Sequence, residues 1–208
     1  MTTAFFLRHG LTQENHDNRI QGQLHGTLRI MDTERYIAAV VPLLRQKSPN
    51  VILSSDLDRA IHTRRILKTF LQIADANERK LPLLRERAMG YYEGMLWEDV
   101  PAAYREEMQK HEYDFRPFGG ESNDDVRARV QATLKLLGKE YGGKKVVCVT
   151  HAGWLHELVA VAGKSESIED GWTHRQCIYE VTIYPDGAID SILPIQLVAS
   201  VPEVQTVV

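Results

Sequence analysis

Cysteine is scarce: the 208 residues hold two, Cys148 and Cys177, both in segments that read as buried strands. Two are too few for a disulfide framework, and each reads as a small apolar core residue in a reducing, cytoplasmic setting. Long apolar runs are missing as well, none approaching the ~20 residues that span a bilayer. The opening Met1-Thr-Thr-Ala-Phe-Phe-Leu-Arg8 has no basic residue ahead of its short apolar stretch, so neither secretion nor membrane insertion is expected. An excess of one charge is lacking too: 25 Lys and Arg against 28 Asp and Glu leave a formal net charge of −3. That gives no general attraction to nucleic acid or anionic lipid, so an anion site has to be a local cluster. Eight histidines are present without a Cys-x-x-Cys pair or a His-Glu-x-x-His helix, and His151 and His156 lie five apart. Neither a metal nor a cofactor is expected. Internal repeats and low-complexity tracts are absent.

What is present is an ordinary globular composition, 43% hydrophobic and 25% charged, in a length that suits one α/β domain over residues 1–208. Ala4 to Leu7, Val51 to Leu53 and Val146 to Val149 are short apolar runs that end in polar, loop-like residues and read as buried strands. Helical patterns alternate with them: Asp32 to Lys47 with a break expected near Pro42, Leu57 to Leu71, Asn123 to Glu140, and Trp154 to Ala162. Ser122 followed by Asp125 reads as a capping box. Pro185-Asp186-Gly187 between Cys177–Tyr184 and Ala188–Leu193 predicts a hairpin. The fold expected is a three-layer α/β/α sandwich with a mostly parallel central sheet. Ligands bind such sheets outside the carboxyl ends of the strands, where Arg8-His9, Ser55 to Arg59 and His151 would converge. Residues about 88–118, rich in aromatics and charge (Tyr91, Tyr92, Trp97, Tyr104, His111, Tyr113, Phe115), read as an insertion over that edge and a substrate lid.

Alone, Arg8-His9-Gly10 makes a surface turn as readily as a site. Its weight comes from Arg59 at a helix start, Glu86 after Leu81-Pro-Leu-Leu-Arg, and His151 in Thr-His-Ala-Gly. A cation at a helix start opposes the helix dipole unless an anion sits beside it, which favours anion binding for Arg59. Glu86 has a bland rival as the surface partner of Arg85 or Arg87. Arg19 and Gln21 either fix their loop or touch substrate, and His62, His156 and His174 read as structural.

These blocks resemble the histidine phosphatase superfamily, the phosphoglycerate mutase-like enzymes, from Phe5 through about Ile183. Arg8-His9-Gly10-Leu11-Thr12-Gln13-Glu14-Asn15 looks like the opening motif, Asn18 to Gly22 like the segment after it, and Ser54 to Ala60 like the second block. Leu84 to Gly94 carries the acid, Gly119-Gly120-Glu121-Ser122 is the next signature, and Thr150 to Gly153 the last. The resemblance implies that His9 is the nucleophile, that Arg8, Arg59 and His151 hold the phosphoryl group, and that Glu86 is the proton donor. Asn15 and Thr12 would be secondary phosphate contacts, with Gln21, Gly22, Arg87 and Ala152 completing the substrate-binding set. Arginine forks neutralise and position a phosphoryl group without a metal. Imidazole attacks as the neutral base, and Arg8, Arg59 and a protonated His151 would disfavour a further positive charge on it.

Met95, Leu96 and Trp97 occupy the stretch where mutases carry Leu-Asn-Lys, so the lysine that would help hold a phosphoglycerate is absent. Arg87, with Arg116, would supply cations for a second anionic group. The function expected is therefore hydrolysis of small phosphorylated metabolites through a phosphohistidine. Phosphoglycerate mutase is the alternative enzyme, and a phospho-ligand binding module without turnover is the alternative class. The tail from Ile195 to Val208 could pack on the domain, cover a second subunit or stay loose, and the oligomeric state is not fixed by the sequence.

Overall fold

The computed structural model describes residues 1–109, 113–163 and 177–197. Six strands form one sheet: β1 (Thr2–Arg8), β2 (Val51–Ser54), β3 (Glu78–Lys80), β4 (Lys145–Thr150), β5 (Cys177–Ile183) and β6 (Ile189–Gln196), in the order β3-β2-β4-β1-β5-β6. The first four in that order run parallel, and β5 and β6 add antiparallel at one edge. Between the strands lie α1 (Gln13–His16), α2 (Ile30–Lys47), α3 (Asp58–Leu71), α4 (Ala102–Gln109), α5 (Asn123–Glu140) and α6 (Ala152–Val161).

The alternation of side chains along each strand makes the layers. Ala4 and Phe6 of β1, Leu53 of β2 and Val146 and Cys148 of β4 face α5 and α6, where Phe6 stacks on the buried Trp154 with ring centroids 5.1 Å apart. Phe5, Leu7, Ile52, Val147 and Val149 face the other way, onto Tyr36, Ile37, Val40 and Leu44 of α2 and Ala60 and Leu67 of α3. Each such side chain, fully buried, contributes about 1.5–3 kcal/mol. The sandwich is therefore the expected one. The strand and helix ends lie within three residues of the sequence reading, and α5 falls at both ends where expected.

Three local features correct or extend that reading. Pro42 does not break α2, which runs unbroken from Ile30 to Lys47. The buried stripe Tyr36-Ile37-Val40-Val41-Leu44 passes along the same helix, and its packing on the sheet outweighs the ~3 kcal/mol cost of an interior proline. The edge strand β3 is three charged or polar residues long and offers no apolar period to detect. Helix α4 lies within the insertion and was not anticipated. The Ser122 capping box is present, with the Ser122 N–H donating to Asp125 Oδ2 at 2.9 Å and the Asp125 N–H to Ser122 Oγ at 3.2 Å. The β5–β6 hairpin turns where expected, with the Gly187 N–H donating to the Tyr184 carbonyl at 3.0 Å.

The described residues of 88–118 pack around a cluster of their own, made of Met89, Tyr92, Val100, Met108, Tyr113 and Phe115, with Ile20 from the first loop. Tyr92 meets Tyr113, Phe115 and Phe118 edge-on at centroid distances of 6.0, 6.0 and 5.0 Å. His111, His174 and the tail beyond Leu197 lie outside the described residues.

Candidate active site

The carboxyl ends of β1, β2 and β4 come together because their backbones are hydrogen-bonded in register to the last residue. The His9 N–H donates to the Thr150 carbonyl at 2.9 Å and the Ser55 N–H to the Val149 carbonyl at 3.1 Å. His9, Ser55 and His151 therefore leave adjacent strands side by side, and the His9 and His151 rings lie 5.0 Å apart. All of Arg8, His9, Arg59, Glu86 and His151 are buried.

The orientation of His9 is set by its own loop. Nδ1 lies 2.7 Å from the Gly10 carbonyl, an acceptor only, so Nδ1 carries the proton and Nε2 carries the lone pair. The Gly10 N–H is in turn held by Thr63 Oγ1 of α3 at 3.0 Å. Arg59, in the first turn of α3, directs Nε–H at His9 Nε2 from 3.2 Å. Its remaining donors meet carbonyls of the loop after α1: Nη2 at Gly22 O, 2.7 Å, and Nη1 at Leu24 O and His25 O. Burial pulls its pKa down to about 10, against the pull of Glu86, so it remains a cation at neutral pH.

His151 places Nε2 2.6 Å from Ser55 Oγ. Burial first, then Arg59, Arg8 and Arg129, hold its pKa well below the ordinary histidine value. The protonated His151 entertained from sequence does not fit this environment: three guanidiniums in a dry site favour the neutral ring. Burial likewise lowers the pKa of Arg8, while Glu86 opposes the shift.

Glu86 is no surface partner of Arg85, which forks instead onto Asp56 at 2.7 and 2.6 Å. Its Oε1 accepts the Arg87 N–H at 2.8 Å and its Oε2 the Gly153 N–H at 3.3 Å. The second bond comes from the first turn of α6, where the helix dipole favours an anion. A Cβ on Gly153 would stand 2.5 Å from Glu86 Oε1, so any larger residue there would push the carboxylate from its place.

Thr12, Asn15 and Gln21 are brought together but engage one another. Thr12 Oγ1 lies 3.0 Å from both Asn15 Oδ1 and Gln21 Oε1 and accepts the Asn15 N–H at 3.1 Å. Gly22 sits at φ +47°, where a side chain is disfavoured and a Cβ would meet Glu93 Oε1 at 2.2 Å. Its carbonyl faces Arg59. Ala152 opens α6 and is buried. Arg19 fixes its loop through Nη1 to the Gly94 carbonyl at 2.9 Å. Arg87 is buried, lies 4.9 Å over the Phe115 ring and bonds Asn123 through Nη1. Its Nε and Nη2 have no partner among the described residues. Arg116, in contrast, is exposed and forked onto Asp114, so the structure does not place it as a second cation for substrate.

Sequence reasoning missed the part played by Ser55, Gln23 and Arg129. Ser55 was visible only as a member of its block. Gln23 and Arg129 carry no local signal, since the backbone carbonyls of the Glu86 segment that they meet lie more than 40 residues away in the chain. Among the described residues no three or more His, Cys, Asp or Glu side chains cluster as metal ligands.

An imidazole whose lone pair meets the Arg59 guanidinium, with Arg8 and the Glu86 carboxyl buried close enough to act on Arg59 electrostatically, is the equipment of phosphoryl transfer. The match to the histidine phosphatase superfamily (branch 1) over residues 4–189 agrees, and the chain belongs to that superfamily. It is 31% identical over 162 residues to a metal-independent phosphoserine phosphatase of Arabidopsis thaliana, covering 76% of this chain and 67% of that one. To a glucosyl-3-phosphoglycerate phosphatase of Mycolicibacterium vanbaalenii it is 33% identical over 166 residues, 74% of this chain and 71% of the other. A solved mycobacterial glucosyl-3-phosphoglycerate phosphatase complexed with VO3 superposes with a TM-score of 0.73 at 26% identity, covering 95% of this chain and 99% of that one.

Proposed function

We propose that this phosphatase hydrolyses phosphomonoesters of small acidic metabolites through a phosphohistidine on His9 Nε2, independently of metal. The observation that carries the reading is the Nδ1 contact to the Gly10 carbonyl, 2.7 Å, which leaves Nε2 as the basic nitrogen beside Arg59. In the first step the Nε2 lone pair bonds to phosphorus, the ester P–O bond breaks, and the departing alkoxide takes the proton of Glu86. In the second, water attacks phosphorus, Glu86 accepts its proton, the P–N bond breaks, and inorganic phosphate leaves. Arg8, Arg59 and His151 hold the phosphoryl oxygens throughout, and preorganised donors of this kind need no reorganisation as charge develops. Thr12, Asn15 and Gln21 keep the loop that carries Gly22 in place against the phosphoryl group.

Substrate choice rests on the insertion and on Arg87. Two unpartnered guanidinium nitrogens on a buried arginine are costly unless a ligand or water meets them, and a second anionic group of the substrate fits that need. The relatives' named substrates, phosphoserine and glucosyl-3-phosphoglycerate, both carry a phosphomonoester and a carboxylate, which supports a phosphorylated acid here. The buried free cysteines support a reducing, cytoplasmic location.

Mutase chemistry needs a phosphohistidine kept from water and cations that hold an intermediate in two orientations. Trp97 stands where a mutase lysine would, packed against the insertion cluster. Incubation with 3-phosphoglycerate, with and without 2,3-bisphosphoglycerate, separates the two: inorganic phosphate is expected in excess of 2-phosphoglycerate. Isomer forming faster than phosphate would establish the mutase instead.

A further inference from the structure

The segment that carries Glu86 is not a strand, yet its carbonyls are all occupied. Leu83 O accepts from Trp154 Nε1 at 2.9 Å and from Arg129 Nη1 at 3.1 Å, and Leu84 O accepts from Thr150 Oγ1 at 2.8 Å. Arg85 O accepts from Arg129 Nη1 at 2.8 Å, and Glu86 O accepts from Arg129 Nη2 at 3.2 Å and Gln23 Nε2 at 3.1 Å. One guanidinium on α5 thus reaches the carbonyls of Leu83, Arg85 and Glu86.

The same guanidinium is itself fixed. Glu121 takes Arg129 Nε at 2.9 Å and Nη2 at 2.8 Å, a two-pronged pair that is largely buried. Glu121 Oε2 also accepts the Ala88 N–H at 2.8 Å, and Gln23 Nε2 lies 3.4 Å away. The peptide of Glu86 is therefore clamped from both sides, by Arg129 before and at it and by Glu121 two residues beyond. Gln23 ties the clamp to the loop whose carbonyls meet Arg59. A lysine could supply the charge but not the planar fork that serves Glu121 and the carbonyls together.

We infer that Arg129, held by Glu121, is a positioning residue for the proton transfer by Glu86: it fixes the acid's backbone so that its carboxyl meets the leaving oxygen. The inference rests on Glu86 being the proton donor. A residue that acts by placing an acid leaves a particular trace. Loss should be large where the leaving group needs a proton and small where it does not, and it should vanish once the acid is gone.

The test is a series of phosphomonoesters of rising leaving-group pKa, from p-nitrophenyl phosphate to an alkyl phosphate, read as kcat/KM, which leaves out the dephosphorylation step common to all of them, for wild type, Arg129→Lys, Glu86→Gln and the double variant, with thermal unfolding alongside. Arg129→Lys is expected to lower kcat/KM about tenfold on the alkyl ester and less than about twofold on p-nitrophenyl phosphate, a fraction of the ~10²–10⁴ that general acid catalysis supplies. The double variant should be no slower than Glu86→Gln alone. If Arg129→Lys slows every ester equally, or adds its full loss to that of Glu86→Gln, Arg129 is structural and the inference fails while Glu86 keeps its role. If Glu86→Gln itself shows no dependence on leaving group, the proton-donor reading falls and this inference with it. Should Arg129→Lys not fold, Glu121→Gln loosens the same fork, and the same steepening or its absence decides.

Discussion

The ends of β1, β2 and β4 and the insertion of residues 88–118 place side chains by different means. At the strand ends, His9, Ser55 and His151 inherit their positions from a parallel ladder whose residues are buried on both faces. A strand cannot slip there without turning its whole apolar set around, so the chemistry is fixed by the same contacts that fix the fold. In the insertion, short turns surround an aromatic cluster with few partners in the sheet. Its geometry depends on individual ring contacts, each about 0.5–1.5 kcal/mol beyond burial. The strand ends are accordingly the place for reaction chemistry, and the insertion the place where substrate range can vary at low cost to the fold.

That contrast makes a division of labour testable. The largest expected effect is at the strand-end site: Glu86→Gln should reduce kcat/KM, which reports transfer of the phosphoryl group to His9, by roughly 10²–10⁴ for alkyl phosphates while sparing kcat/KM for p-nitrophenyl phosphate, whose leaving group needs no proton. Equal losses on both esters would make Glu86 a structural carboxylate. Next comes Arg87, at the seam of the two regions. Arg87→Ala should raise KM for phosphorylated acids about tenfold or more, the worth of a charged hydrogen bond, and leave p-nitrophenyl phosphate hydrolysis nearly unchanged. A matching loss on p-nitrophenyl phosphate would move Arg87 from substrate selection to the reaction itself. The smallest effect is expected from chelation: EDTA should leave activity within experimental error if, as proposed, Arg8, Arg59 and His151 supply the donors around the phosphoryl group. Activity lost to EDTA and restored by a divalent cation would contradict the metal-independent reading.

The same contrast explains what could be read from the chain before the fold was known. Val146–Val149 and Phe5–Leu7 announce themselves because β-branched and aromatic residues crowd a short run, and His151 and His9 follow directly after. The alternation of strand and helix then brings them to one edge by topology alone. Pro42 misled because propensity is local, whereas the buried stripe of α2 that overrides it is tertiary. Arg116 misled because its neighbour two residues back, Asp114, claims its guanidinium. Arg129 was silent for the opposite reason: it lies among the inward residues of α5, three after Val126 and four before Thr133, and only the fold shows that it meets the Glu86 segment there, 43 residues away. The lowered pKa of His151 was also out of reach, because it follows from burial beside guanidiniums rather than from the motif.

The central claim is a covalent phosphoryl group on His9 Nε2. Acid-sensitive, base-stable label should appear on protein quenched during turnover of a ³²P-labelled phosphomonoester, map to the peptide containing His9, and be absent from a folded His9→Ala variant that has lost turnover. Label on another residue, or a His9→Ala protein with wild-type turnover, would contradict the account.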